Sequence, residues 1–254
     1  SFEYELPEVV ELPHDAVCFV TEFTTVCSWD TVNLNNNRLY VVENSGALYR
    51  ARTVTIPTGA YDSETLRSAV ELALNGAGKT VAGSYTVARS SSAGTVNTAS
   101  LGSAYRYFSV GLSGGGSFFF PQDGWLKKNV DPYDPMKLRS SNELFQFPLA
   151  VVSASHPSSF IDLRSVHTLF VHSPSFGNYS TLAPRGVRTV IQKVPVEAGY
   201  GAVLHYEHGG NMYDHIDVGS TTLKMLKFEL RDARGNLVDL RGGHWSMTLV
   251  FARK

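Results

Sequence analysis

Between Leu226 and Phe251 the chain carries two runs with a period of two. Leu226, Phe228 and Leu230 alternate with Lys227, Glu229 and Arg231, and Trp245, Met247, Leu249 and Phe251 alternate with Ser246, Thr248 and Val250. Successive side chains of a β-strand point to opposite faces, so this spacing gathers one apolar set on one side. An amphipathic helix would need apolar spacings of three and four instead. The segment from Arg231 to Asn236 holds Gly235 and reads as a tight turn, so the two runs are expected to pair as a hairpin. Leu226, Phe228, Leu230, Trp245, Met247 and Leu249 are its expected buried face, and Asp232 and Asp239 read as turn residues rather than acids with a chemical task.

Similar β-branched and aromatic runs recur along the chain. AVCFVTEFTTVCSWDTV (16–32) and RLYVVE (38–43) flank a polar NLNNN turn and are expected to be neighbours. Further strands are expected at 52–57, 84–91, 94–100, 105–112, 159–173, 187–196 and 201–208, with a short one near 213–219. One segment changes period. Leu66, Val70 and Leu74, with Ala69 and Ala73, share a helical face; Asp62 or Ser63 can cap its start and Gly76 can end it. Residues 1–13 carry two prolines and alternating acids, and read as an extended arm ordered only if something holds it. The pattern predicts a mainly β fold, a jelly-roll type antiparallel β-sandwich with about ten to twelve strands and one short helix near 63–75. The domain would run over 14–254 after the arm, with a long Gly-Pro-aromatic loop insertion near 113–148.

Charge and cysteine content exclude several classes. With 22 Lys plus Arg against 23 Asp plus Glu, no overall field draws the chain onto nucleic acid. Cys18 and Cys27 are too few for a disulfide scaffold or a structural zinc site, and suggest a reducing compartment. No apolar run reaches the roughly 18 to 20 residues of a membrane-spanning helix. The acidic start is unlike a signal peptide, and Ser1 in place of Met fits initiator removal or precursor cleavage.

Each stretch that suggests chemistry has a plainer reading. HYEHGGNMYDHID (205–217) crowds His205, His208, His215, Asp214 and Asp217 together, residues that bind zinc or iron. On a strand, however, His205 and His208 are an odd number apart and point to opposite faces, so a polar loop is expected and no metal. No Ser sits in a GxSxG elbow, and neither Cys has a local protease signature. GLSGGGS (111–117) lacks the Lys-Ser/Thr of a phosphate loop, and AGKT (77–80) follows a helix where that motif would precede one. No cofactor is expected. Phe118, Phe119, Phe120, Trp125 and Tyr133 could stack on sugars or bases, but exposed apolar loops more often meet protein. With Phe2 and Tyr4 of the arm they are the candidate subunit-interface residues. Lys127, Lys128, Lys137 and Arg139 surround the loop and leave room for a weak nucleic-acid contact.

A larger pattern emerges from these pieces. TVTIPTGAYDSETLRSAVELALN, SYTV, YRYFSV, FIDLRSVHTLFVHSPSF, PRGVRTVIQKVPVEAGYGAVLHY and LKFELRDARGNLVDLRGGHWSMTLVF together resemble the penton or minor capsid proteins of polinton-like viruses, adintoviruses and virophages. The resemblance covers roughly residues 50–254. It is most specific in the strand-Pro-x-Gly-x-Tyr-helix unit at 53–75, in Asp162-Leu163-Arg164, in Tyr200-Gly201 and in the terminal L-x-D-x-x-G-x-x-V-D-L run (230–240) with its closing Trp-Ser-x-Thr-Leu-x-Phe (245–251). It implies a jelly-roll structural protein that forms homopentamers at icosahedral fivefold vertices of a dsDNA virus, beside double jelly-roll trimers of a major capsid protein. It also implies a virion location with assembly inside the host cell, and no enzymatic activity. The length agrees, since a double jelly roll needs about twice the chain of one sandwich. The rival readings are a jelly-roll carbohydrate- or receptor-binding module using Trp29, Trp125 and His205 to His215, and a cupin-like metal enzyme, for which only the histidine crowd speaks.

Overall fold

The computed structural model describes residues 1–46, 48–90, 107–130, 140–148, 151–158, 161–176, 188–210 and 215–254. Among these the chain forms fourteen strands and three helices. By internal contacts it divides into two compact units where the sequence suggests one domain. Unit 1 comprises 1–29 and 166–254, and unit 2 comprises 30–165.

Unit 1 is a β-sandwich. Its first sheet orders β1 (Phe2–Glu11), β13 (Thr222–Arg231), β9 (Thr168–His172) and β10 (Val190–Pro195). Its second is built on β2 (Ala16–Val26), which has β14 (Trp245–Arg253) along one side. Along the other side of β2 lie β11 (Val203–Glu207) and the short β12 (Ile216–Asp217). All of these pairs are antiparallel. Cys18, Val20 and Phe23 of β2 face Leu169, Val171, Ile191, Val194, Phe228 and Leu230 in one core.

The terminal runs are not a hairpin. The turn at Arg231 to Asn236 forms as expected: the Asp232 carboxylate accepts from the backbone N–H groups of Arg234 and Asn236, at 2.8 and 2.9 Å. The chain then crosses to the other sheet, so that β13 lies in the first and β14 in the second. Leu226, Phe228 and Leu230 are buried, and Trp245, Met247 and Leu249 pack half-buried against the same core from the opposite side. Alternation had grouped the right side chains, but it does not say which strand lies alongside which.

The arm is also a strand. Backbone pairing with β13 holds β1 in place, Leu6 and Leu12 reach the core, and Lys227 and Lys224 pair with Glu3 and Glu5 at 3.2 and 3.7 Å.

Unit 2 contains two three-stranded sheets. One orders β4 (Tyr49–Thr55), β3 (Arg38–Asn44) and β7 (Ser117–Phe119); the other orders β5 (Tyr85–Ser90), β6 (Tyr107–Leu112) and β8 (Ser155–Pro157). β3 therefore pairs with β4 and β7, and the expected β2–β3 partnership does not occur, because β2 already has a strand along each side. Helix α1 (Ser63–Leu74) starts at Asp62, whose carboxylate accepts from the backbone of Glu64 and Thr65 in a capping box. Its Leu66, Val70 and Leu74 enter the core. The segment read as a loop insertion holds β7 and two short helices, α2 (Asp123–Asn129) and α3 (Asn142–Phe145). The strand expected at 94–100 lies outside the described residues.

A buried ion pair ties the sheet of β3 to α1 and to the turn before β5. Glu43, fully buried, accepts from Arg52 at 2.7 Å and from the Tyr85 hydroxyl at 3.0 Å on one oxygen. Its other oxygen accepts from the Thr80 backbone and hydroxyl, both at 2.7 Å. Arg52 also donates to the Leu74 carbonyl at the end of α1. Burial alone would raise the Glu43 carboxyl, but the Thr80 hydrogen bonds, the Arg52 charge and the Tyr85 hydroxyl together hold it below the usual carboxylate range.

Three substitutions test this architecture. Phe23→Ala is expected to destabilise the protein by about 3–5 kcal/mol through the cavity it leaves, whereas Tyr4→Ala on the exposed edge should change stability by less than about 0.5 kcal/mol. Arg52→Ala, which leaves the Glu43 charge buried without its cation, should cost about 3–5 kcal/mol at neutral pH. As Glu43 contributes only while ionised, that penalty should shrink as the pH falls below about 4.3 and through its lower folded-state range. Chemical denaturation across pH measures all three.

Candidate functional site

The aromatic run was expected on the surface, and the structure buries it. Phe118 and Phe120 are essentially inaccessible and Phe119 is 9% exposed. Phe118 meets Tyr85 edge-on at 5.2 Å between ring centroids, and Phe120 stacks on Phe147 at 4.5 Å. The reason is pairing: Phe119 and Phe118 are opposite Val42 and Glu43 of β3, Phe118 also bridges Ser153, and this holds the Phe118 and Phe120 rings in the core of unit 2. These three rings are therefore not available to a partner. Trp125, on α2, is half-buried and edge-on to Phe119 at 6.1 Å. Tyr133, Lys137 and Arg139 lie outside the described residues.

Phe2 and Tyr4 remain on the surface, 41% and 55% exposed. Phe2 packs at a tilt against Trp245 and Phe228, with centroids 4.9 and 5.2 Å away. Val9 and Val10 of β1 and Met225 of β13 are exposed as well. β1 is the edge strand of its sheet, and these side chains leave apolar surface uncovered along it.

The histidine segment separates into two groups. His205, on the outer face of β11, meets the Glu207 carboxylate at 3.0 Å, the Thr24 hydroxyl at 3.0 Å and the Glu22 carboxylate at 3.8 Å. His215 stacks on Phe19 at 4.3 Å, and His208 lies 5.2 Å from the same ring. Among the described residues no three His, Cys, Asp or Glu side chains are arranged to hold a metal ion. Asp214 lies outside the described residues. The other suspected motifs are structural: Thr80 of AGKT binds Glu43, and Lys79 donates to the Gly83 carbonyl. The turn at Gly83 needs glycine, since a Cβ there would fall 2.1 Å from the Ser113 carbonyl oxygen. Cys18 and Cys27 are free and buried, and burial pushes the Cys18 thiol up to about 12 and raises Cys27, which suppresses thiolate chemistry.

Sequence reasoning missed the Glu43 network and two buried imidazoles. A Glu within the apolar run LYVVEN was the available signal for the first. His156 lies between the Phe118 and Phe120 rings and donates to the Phe118 carbonyl at 2.8 Å. Burial lowers its imidazole despite that bond, and in unit 1 burial followed by the Arg231 charge lowers His172. Each is neutral in the folded state and takes a proton more readily once unfolded. Stability is therefore expected to fall as pH drops below about 6.5. Thermal melts between neutral and mildly acidic pH check this, and His156→Gln should flatten part of the slope.

No family model matches the sequence, and no curated protein matches it. Among solved structures the chain is similar to the crystal structure of the selenomethionine-labelled mavirus penton protein. The TM-score is 0.53 at 10% sequence identity, over 100% of this chain and 91% of that one. With its two four-stranded sheets of antiparallel strands, the chain has a jelly-roll type β-sandwich of penton-like fold.

Proposed function

We propose that the chain is a structural capsid protein, the penton of an icosahedral dsDNA virus, and not an enzyme. The observation that carries this reading is the fold likeness over the full length of the chain, reaching both units. Five copies would close a ring at each fivefold vertex through heterologous side-to-side contacts. Double jelly-roll trimers of the major capsid protein would surround that ring, and the virion would be the site of action. The exposed apolar side chains of β1, Phe2 and Tyr4 foremost, would supply buried interface area, with Trp125 a lesser candidate. A fold of packed sheets braced by an internal ion pair, Glu43 with Arg52, suits that task.

Sedimentation velocity combined with electron microscopy of the purified protein tests the proposal. Five-membered rings are the expected particle, in solution or on capsid shells formed with the major capsid protein. Tyr4→Lys is expected to shift the population toward monomer without altering the monomer's melting temperature. A chain that stays monomeric at every concentration, stays out of shells and binds a sugar saturably would overturn the assignment.

A further inference from the structure

Strand β11 is an open edge. It pairs with β2 on one side only, from Val203 opposite Val26 to Glu207 opposite Glu22. Alternate backbone N–H and C=O groups point the other way, where no strand among the described residues takes them. Beside that edge runs a groove of about 470 Å³, bounded by Val203 to Glu207 and by the segment that follows β10. Pro195, Ala198 and Val203 give it an apolar wall, and Val203 is 61% exposed.

The charge around the groove has one sign. Glu197 and Glu207 line it, and Glu22 lies directly across from Glu207 on β2. No Lys or Arg lines it. Glu22 and Glu207 share one imidazole, that of His205, and Glu197 has no hydrogen bond or ion pair among the described residues. The other acidic edge of the sandwich differs. On β1, Glu3 and Glu5 are matched by Lys227 and Lys224, and a register break between Glu5 and Val10 interrupts the ladder at Pro7. That edge is blunted, whereas the β11 edge presents free backbone groups next to uncompensated carboxylates.

We propose that this groove binds an extended basic segment of a partner polypeptide, with Lys or Arg alternating with small apolar residues. The segment would add to β11 as a further strand. Main-chain hydrogen bonds would hold it; on the outer face shared by Val203, His205 and Glu207 its basic side chains would reach Glu207 and Glu22, with Glu197 on the facing wall, and the alternate, small apolar set would turn to the side of Leu204 and Tyr206. The inference does not depend on the vertex assignment, since it uses the groove of unit 1 alone.

The test is fluorescence anisotropy of a labelled peptide alternating lysine with valine, titrated with the intact protein. A saturable rise is expected. Glu197→Lys combined with Glu207→Lys should weaken binding by about tenfold or more, while the thermal melt confirms that the double variant folds. Peptides methylated on every second amide nitrogen, made in both registers, separate strand addition from plain charge attraction: one register is expected to lose binding. A peptide alternating glutamate with valine should not bind. Absence of saturable binding, equal affinity of the double variant, or full binding by both methylated peptides would overturn the proposal. It would also fall if the wild-type protein self-associates and the double variant does not, since a second copy would then be the occupant.

Discussion

Unit 1 depends on the two-sided pairing of β2. This strand binds β14 along one edge and β11 and β12 along the other, so its backbone groups are satisfied within the sheet. Its side chains are then sorted without ambiguity: Cys18, Val20 and Phe23 point into the core, while Phe19, Glu22 and Thr24 meet the histidines and hydroxyls of the outer face. A one-residue slip of β2 would exchange these two sets, burying a carboxylate and exposing Phe23. Three partner strands and the opposite sheet all have to agree with one register, which is why a single strand can organise the sandwich.

The extent to which this was legible follows from what sequence periodicity reports. Alternation identifies faces, and the six apolar side chains of β13 and β14 do share one core. It carries no information on pairing, so two runs separated by a short turn looked like a hairpin although they belong to opposite sheets. Helix α1 was readable because its cues are local: the Asp62 cap and the spacing of Leu66, Val70 and Leu74 lie within one segment. The division into units was not readable, since no linker composition marks Trp29 or Val166. Their boundary is a matter of long-range contacts.

The candidate surfaces were less legible still. Phe118, Phe119 and Phe120 sit among glycines and a proline, which favours a loop reading, yet pairing with β3 draws them inward. A side chain's chemistry does not say whether its neighbour is water or another layer of the same chain. Phe2 and Tyr4 differ. They lie in a short, acid-rich terminal stretch, and the structure leaves them exposed on an edge strand. Glu197 and Glu207 drew no attention because single acids in strand termini are ordinary; only the groove between them and the open edge of β11 gives them a common setting.

The placement of unit 2 within the chain also has a physical basis. Its first and last residues meet, the Ser165 hydroxyl donating to the Asp30 carbonyl at 2.7 Å. To unit 1 the whole of 30–165 is therefore a loop whose ends are already closed, and the entropy of closing a loop grows only slowly with length, by about 0.6 kcal/mol per doubling. Unit 2 has its own core on α1 and the Glu43 network, so its ordering does not rest on the β2 register. A sandwich specified by alternating faces, carrying an insertion that supports itself, constrains few individual residues. A fold of this kind can persist while nearly all of its side chains change, which is the condition under which sequence comparison returns nothing and comparison of structures still finds a counterpart.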